Sequence, residues 1–132
     1  MEIQQLYDIA EQNGIDIDHF PMEVLKGLSI PGSIALNPKL IKTRNEEKEI
    51  LAHELGHQIK YAFYKFSDTP TTKARAEVRA DRWAVEQLIP LDELKKAFKS
   101  GYTMAWQLAE YFDVSCGFIE KAIRIYRAKG EI

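Results

Sequence analysis

The segment His53-Glu54-Leu55-Gly56-His57 carries most of the information in this 132-residue chain. On a helix, positions i and i+4 lie on one face, so both imidazoles can reach the same metal ion. Glu54 then projects to the flank, where Zn²⁺ would make a water molecule acidic enough to lose its proton to the carboxylate. The same letters also occur on a solvated helix with two stray histidines. A zinc peptidase therefore needs a third ligand.

A second acidic pair with helical spacing supplies a candidate for that ligand. Glu77 and Asp81 lie about twenty residues after the first motif. Glu77 can complete the set of metal ligands, and Asp81, one turn further on, can accept the N–H of a ligating histidine and fix its tautomer. Alone, the pair is better explained as a solvated face with arginines in salt-bridge spacing. Together with His53 and His57, it predicts a metal site, whereas His19 lies in a turn-like segment and is not expected to be a ligand.

Together the two motifs resemble those of the ImmA/IrrE-type family of intracellular zinc metallopeptidases, which are gluzincin-like enzymes associated with phages, integrative elements and stress-response regulators. Residues 76–90 are similar to the family's Glu-x-x-Ala-Asn/Asp-x-Phe-Ala run and its Leu-Met-Pro-like ending. Weaker similarity extends through residues 33–38 and 108–115, so it covers most of the chain. By matching positions, the resemblance implies the following roles: zinc on His53, His57 and Glu77, general base Glu54, and Asp81 behind the ligands.

The chain departs from the family pattern at two positions near the site. Many relatives have a further histidine where this chain has Tyr61, and a second acidic residue where it has Arg79. Neither change removes a ligand, so only substrate contacts are put in question. If the helix continues, Tyr61 lies one turn beyond His57, and its hydroxyl is a candidate for stabilising the oxyanion of a tetrahedral intermediate. The alternative is that Tyr61 and Tyr64 simply pack.

The motifs favour a Zn²⁺-dependent endopeptidase, and the resemblance implies that its protein substrate is a specific regulator, such as a transcriptional repressor. A binding module is the alternative from a different class. In that case an antirepressor or adaptor keeps the zincin fold and acts by docking, with or without metal. Substitution of Glu54 by glutamine separates the two, because it removes the base and leaves the ligands.

DNA binding through the C-terminal tail is a third hypothesis. Residues 108–115 and the helix after them have a sequence pattern similar to that of a helix-turn-helix. The second helix contains Lys121, Arg124 and Arg127. Acidic residues in the same region dilute the basic face. We therefore expect the apolar side of this helix to face the core, and we do not expect direct nucleic-acid binding.

Composition restricts the class of protein further. The chain is 45% hydrophobic and 29% charged, and its net charge of −2 gives no general attraction to nucleic acid or anionic membranes. No stretch is apolar enough to span a membrane, and the N-terminus lacks the pattern of a signal peptide. A single cysteine, Cys116, agrees with a reducing compartment and is assigned no catalytic role. We expect a cytoplasmic protein without membrane partners.

The remaining patterns predict the elements around the motifs. Short alternating segments between residues 15 and 38, punctuated by proline and glycine, indicate a small antiparallel sheet, and residues 32–37 are the candidate edge strand for binding extended substrate. A capping-box pattern predicts that the metal helix begins at about Thr43 and runs past the ligands as far as Phe66. Gly56 costs roughly 1 kcal/mol relative to alanine in a helix. Such a cost suggests that another element, such as the helix with Glu77, packs closely there.

These elements combine into one predicted architecture. Helices are expected near the N-terminus, up to Asn13-Gly14, and at residues 91–99, 103–112 and 115–129, with a loop at 67–72 between the motif helices. The sequence therefore predicts an α+β, mostly helical zincin-like minimal metallopeptidase domain with a small antiparallel sheet beside the metal helix. This single domain spans residues 1–132, including the helical tail from about 91 to 132.

Overall fold

Three short strands form a mixed sheet in the computed structural model, which describes residues 1–132. They are β1 (Asp16–His19), β2 (Gly27–Ile30) and β3 (Ser33–Leu36), in the order β1-β3-β2. β2 and β3 are antiparallel, joined by a two-residue turn whose Gly32 has a φ of 83°. β1 is parallel to β3, so the prediction of an antiparallel sheet is wrong for this pair. The reason is that residues 20–26 carry the chain from one edge of the sheet to the other.

The central position of β3 corrects the predicted edge strand. Residues 32–37 include β3, which has a partner on each side and cannot accept a further strand. Its side chains Ile34, Ala35 and Leu36 are buried, whereas Leu28 and Ile30 of β2 are exposed. β2 is the edge strand that packs against the helix of the first motif. Burial explains the error, because an alternating or apolar run does not show how many partners a strand has.

Six helices complete the fold: α1 (Ile3–Gln12), α2 (Arg44–Ile59), α3 (Pro70–Leu88), α4 (Leu91–Lys99), α5 (Ala105–Phe112) and α6 (Cys116–Ala128). The chain is therefore mostly helical with a small sheet, which confirms the predicted α+β class. The bounds of α1, α4, α5 and α6 lie within two residues of those predicted. None of the helices combines the length and the apolar character needed to cross a membrane.

The helix that carries the first motif, α2, begins where predicted and ends earlier. Thr43 is its N-cap, with Oγ1 accepting a hydrogen bond from the Glu46 N–H at 3.1 Å. At the other end, Tyr61 has a left-handed φ of 49°. The N–H of Ala62 donates to the carbonyl of His57 at 2.9 Å, and the N–H of Tyr61 to that of Gln58 at 3.3 Å. These two bonds form a Schellman motif, so the prediction that α2 continues to Phe66 is wrong.

Gly56 allows α2 and α3 to approach each other at the level of the candidate ligands. A Cβ atom on residue 56 would lie 2.5 Å from the carbonyl oxygen of Ala80 and 2.8 Å from its Cα. No side chain fits in that space, because the neighbouring atoms belong to the backbone of α3. The prediction that the Glu77 helix packs closely on Gly56 is confirmed.

Two compact units make up the chain, residues 2–84 and residues 85–132 with Met1. In the first unit the fully buried aliphatic side chains include Leu6, Ile34, Leu36, Leu51 and Leu55. In the second they include Leu88, Ile89, Leu94, Leu108 and Ile119. A single domain over residues 1–132 stays a prediction.

The tail forms the predicted pair of helices around a short turn. Asp113 adopts a left-handed φ of 55°, and the Ser115 hydroxyl caps α6 by accepting the N–H of Phe118 at 3.2 Å. The apolar side of α6 is buried at Phe118, Ile119, Ala122 and Tyr126, as expected. Arg124 and Arg127 are exposed. DNA binding by this tail stays a hypothesis.

Candidate metal centre

The three predicted ligands come together between α2 and α3. Their ligand atoms all lie within 4.8 Å of one another. The Nε2 atoms of His53 and His57 are 3.2 Å apart. Glu77 places Oε2 at 2.8 Å from Nε2 of His53 and Oε1 at 3.3 Å from Nε2 of His57. One turn of α2 separates the two histidines, and the close approach of α3 at Gly56 brings Glu77 to them.

Both imidazoles are held from behind through their other ring nitrogen. Nδ1 of His53 lies 2.8 Å from Oδ1 of Asp81, which is where the sequence predicted that carboxylate. Nδ1 of His57 lies 2.6 Å from the carbonyl oxygen of Ala62. Because a carbonyl oxygen only accepts, His57 carries its proton on Nδ1, and a carboxylate partner favours the same tautomer for His53. With Nδ1 carrying a proton, the Nε2 atoms next to Glu77 are the ring positions that can bind either a proton or a metal ion.

The geometry fits a divalent metal ion. Two imidazole nitrogens 3.2 Å apart, with a carboxylate beside them, are stabilised by positive charge between them, which protons or a metal ion can supply. Two imidazoles and one glutamate are the donor set of catalytic zinc sites that keep a fourth position open. His57 is buried, whereas His53 and Glu77 are partly exposed. The site is therefore accessible from one side.

The pKa values of these groups show the same demand for positive charge. Burial lowers the pKa of His53, but hydrogen bonds to Asp81 and Glu77 outweigh it and raise the pKa to about 9. For His57, burial is likewise outweighed by hydrogen bonds to Glu77 and to the Ala62 carbonyl, so its pKa is also raised. Hydrogen bonds from His53 and His57 hold the pKa of Glu77 well below its usual range. Without a metal, an anionic carboxylate thus faces two imidazoles that readily take up a proton.

Glu54, the predicted base, lies on α2 at the wall of the same cleft and is only 8% exposed. Burial raises the pKa of its carboxyl group. Its position depends on Gly27, at the start of β2. A Cβ atom on residue 27 would lie 3.0 Å from Oε2 of Glu54 and 2.9 Å from Cγ2 of Ile50. Gly27 therefore leaves the space that the carboxylate occupies, and no motif in the sequence pointed to it.

The cleft has a volume of about 340 Å³, and edge strand β2 forms one of its walls. Gln58, one residue after the motif, attaches this strand to α2 and was not predicted. Its Nε2 donates to the Ser29 hydroxyl and to the Ile30 carbonyl, each at 2.6 Å. Its Oε1 accepts the N–H of Gly32 at 2.9 Å. A buried amide with this many partners holds β2 at a constant distance from the candidate ligands.

Of the two tyrosines after His57, the structure brings only Tyr64 to the site. Tyr61 is 84% exposed and is absent from the cleft wall, so the prediction that it shares the ligand face is wrong. The cause is the early end of α2. Tyr64 donates its hydroxyl to Oε1 of Glu77 at 2.7 Å, and its ring lies edge-on to His57 at a centroid distance of 6.3 Å. The bond to Glu77 raises the pKa of Tyr64 to about 12.

The site combines two histidines and a glutamate on closely packed helices beside a small sheet. This combination is typical of metallopeptidases. The family model of the peptidase M78 family, described as the IrrE N-terminal-like domain, matches residues 9–124. The chain therefore belongs to this family, which confirms the resemblance found in the sequence. No curated protein matches the chain. The matched region contains His53, Glu54, His57, Glu77 and Asp81, while an association with phages stays a prediction.

Proposed function

We propose that the protein is a zinc-dependent endopeptidase that cleaves a specific regulatory protein. The observation that carries the proposal is the meeting of Nε2 of His53, Nε2 of His57 and Oε2 of Glu77 next to the buried Glu54. Membership of a peptidase family supports hydrolysis of a peptide bond as the reaction. The identity of the substrate as a transcriptional repressor, and the cytoplasm as the location, follow from the sequence resemblance and are part of the proposal.

In this proposal His53, His57 and Glu77 hold the zinc ion, and Asp81 and the Ala62 carbonyl hold the two imidazoles. When bound, zinc supplies a Lewis acid that polarises the scissile carbonyl and acidifies a water molecule. Three protein ligands would leave a bound zinc ion one further coordination position. This open position favours a catalytic metal over a structural one.

Glu54 is the group that moves protons. Its carboxylate accepts the proton of the attacking water and passes it to the nitrogen of the leaving amine. Burial raises its pKa, and a base with a raised pKa takes up a proton more readily near neutral pH. Gly27 leaves the space that the carboxylate occupies at the wall of the cleft.

We assign substrate binding to β2. This strand has β3 on one side only, so its outer edge can pair with an extended peptide through backbone hydrogen bonds. Leu25, Leu28 and Phe63 line the same cleft and offer apolar contacts to substrate side chains. Among the described strands, β2 is the one that lines the cleft with His53 and Glu54.

The test is proteolysis by the zinc-loaded protein and by its Glu54→Gln variant, with a proteome-derived peptide library as substrate and mass spectrometry as readout. Wild type is expected to generate new peptide termini. Glu54→Gln should bind zinc normally and cleave about 10²–10⁴-fold more slowly, which is the usual contribution of a general base. Glu11→Gln is the matched control, because Glu11 is exposed on α1.

The same experiment addresses the docking alternative. If Glu54→Gln cleaves as fast as wild type, the assignment of the base is contradicted. The other outcome is that the zinc-loaded wild type cleaves nothing, while wild type and Glu54→Gln inactivate a repressor equally well. In that case the protein acts as an adaptor, and the endopeptidase proposal fails.

A further inference from the structure

We propose that Tyr64 is a positioning residue of the metal centre, whose hydroxyl holds Oε1 of Glu77 and so keeps the carboxylate beside the two imidazoles. The inference rests on the metal site proposed above and adds to it a residue that lies in neither motif. It is carried by one short contact, the 2.7 Å hydrogen bond from the Tyr64 hydroxyl to Glu77.

The end of α2 explains how Tyr64 reaches this place. The left-handed conformation of Tyr61 reverses the chain, and the Ala62 N–H then closes on the His57 carbonyl. The carbonyl of Ala62 accepts from Nδ1 of His57 at 2.6 Å, which ties the returning segment to a ligand ring. Tyr64 follows two residues later and lies edge-on to His57. One turn therefore places both the His57 partner and the Glu77 partner.

Glu77 needs such a partner more than the histidines do. It comes from a different helix, and its side chain is 39% exposed and has three rotatable bonds before the carboxylate. Holding it in one geometry costs conformational entropy, and a hydrogen bond from Tyr64 favours the rotamers of Glu77 that keep this contact. Tyr64 is the hydrogen-bond donor to Glu77 that does not itself belong to the ligand set.

Each of the three candidate ligands has a hydrogen-bond partner outside the ligand set. His53 has Asp81 behind it, His57 has the Ala62 carbonyl, and Glu77 has the Tyr64 hydroxyl. Loss of such an outer partner commonly weakens metal affinity by about 10–100-fold. By the same physical argument, Tyr64 should contribute to zinc affinity as Asp81 does, although it is not a ligand.

The test measures zinc affinity by competition with a chromophoric chelator and records the visible spectrum of the cobalt-substituted protein. Tyr64→Phe should bind zinc about 10–100-fold more weakly than wild type and change the cobalt spectrum, because the carboxylate geometry changes. Tyr61→Phe is the matched control. It removes the same hydroxyl from an 84% exposed side chain and should leave both readouts unchanged. Thermal unfolding of the metal-free proteins should be the same for all three.

A second variant, Tyr64→Leu, guards against a local effect of the phenylalanine ring. If the hydroxyl positions Glu77, both Tyr64→Phe and Tyr64→Leu bind zinc more weakly than wild type. Loss of zinc affinity in only one of the two variants overturns the proposal. Unchanged affinity and an unchanged cobalt spectrum in Tyr64→Phe also overturn it. Unchanged affinity with a lower kcat would place the hydroxyl on the substrate instead, which equally contradicts positioning. If wild type itself binds no zinc, the proposed function fails, and that result is distinct from all of these.

Discussion

At the residue scale, the chemistry of the site depends on small groups that hold the larger ones. Nε2 of His57 is available because a backbone carbonyl occupies Nδ1, and the Glu54 carboxylate reaches the cleft because residue 27 has no side chain. Such contacts provide the preorganisation that a catalytic constellation needs, since an error of about 1 Å can reduce the rate about 10²-fold.

Gly27→Ala tests this argument at Glu54. The added methyl group would lie 2.9 Å from Cγ2 of Ile50 and 3.0 Å from Oε2 of Glu54, so it must shift these side chains or β2. We expect kcat to fall by about 10²-fold, with zinc affinity unchanged because no ligand moves. Steady-state kinetics and zinc titration provide the two readouts. A variant with the kcat of wild type would show that the position of the carboxylate is not critical.

What the sequence could predict at this scale follows from helical geometry. The helical period of 3.6 residues places the candidate ligands at i and i+4 on one face. It also places a carboxylate one turn beyond Glu77 on the same side of its helix. Gly27, Ala62 and Tyr64 act across loops, whose paths no local spacing specifies. The sequence favoured Tyr61 over Tyr64 as the tyrosine near the metal because it predicted that α2 continues beyond Tyr61. The positions of both tyrosines depend on where α2 ends.

At the element scale, local patterns did not predict the end of α2, the parallel pairing of β1 or the central position of β3. A Schellman motif usually has glycine in its left-handed position, and here that position holds Tyr61. The expected signal was therefore absent. Helix starts were predicted more accurately, because Thr43 and Ser115 cap α2 and α6 with side chains that favour this role.

Contact between α2 and α3 leads to a prediction for Gly56→Ala. Alanine gains about 1 kcal/mol in helix propensity, but its Cβ would lie 2.5 Å from the Ala80 carbonyl oxygen, and a backbone cannot change rotamer. We expect the free energy of unfolding to fall by about 1–3 kcal/mol, together with weaker zinc binding as Glu77 moves with α3. Urea denaturation measures the first effect.

Gly117→Ala provides the control for this prediction. Its Cβ would have only the Ser115 hydroxyl nearby, at 4.0 Å, so the substitution should be neutral or stabilise by up to about 1 kcal/mol. If Gly56→Ala were also stabilising, the close approach of the two helices would be contradicted.

At the scale of the whole molecule, the stability of the fold should depend on alkaline pH through Tyr126. Its hydroxyl donates to the Ile89 carbonyl at 2.7 Å, and burial raises its pKa to about 12. The unfolded chain loses this proton near pH 10. Between these values the unfolded state binds fewer protons, so the contribution to stability is complete below pH 10 and is lost as the pH rises towards 12.

Urea denaturation of wild type and Tyr126→Phe at pH 8 and pH 11 measures this contribution. Wild type should lose more stability between the two pH values than the variant does, because phenylalanine has no proton to lose. Equal losses would mean that Tyr126 is not protected by burial in the folded state. Tyr7 and Tyr64, whose pKa values are also raised to about 12, are present in both proteins and cancel in the comparison.

Metal content tests the central claim most directly, because the whole chain has three histidines and two of them are the proposed zinc ligands. Elemental analysis after zinc loading and desalting should find one zinc per chain in wild type and in His19→Ala, whose imidazole hydrogen-bonds Tyr7 away from the ligands. His57→Ala and Glu77→Gln should both lose the metal. Wild type without zinc, or full zinc content in either ligand variant, would contradict the account.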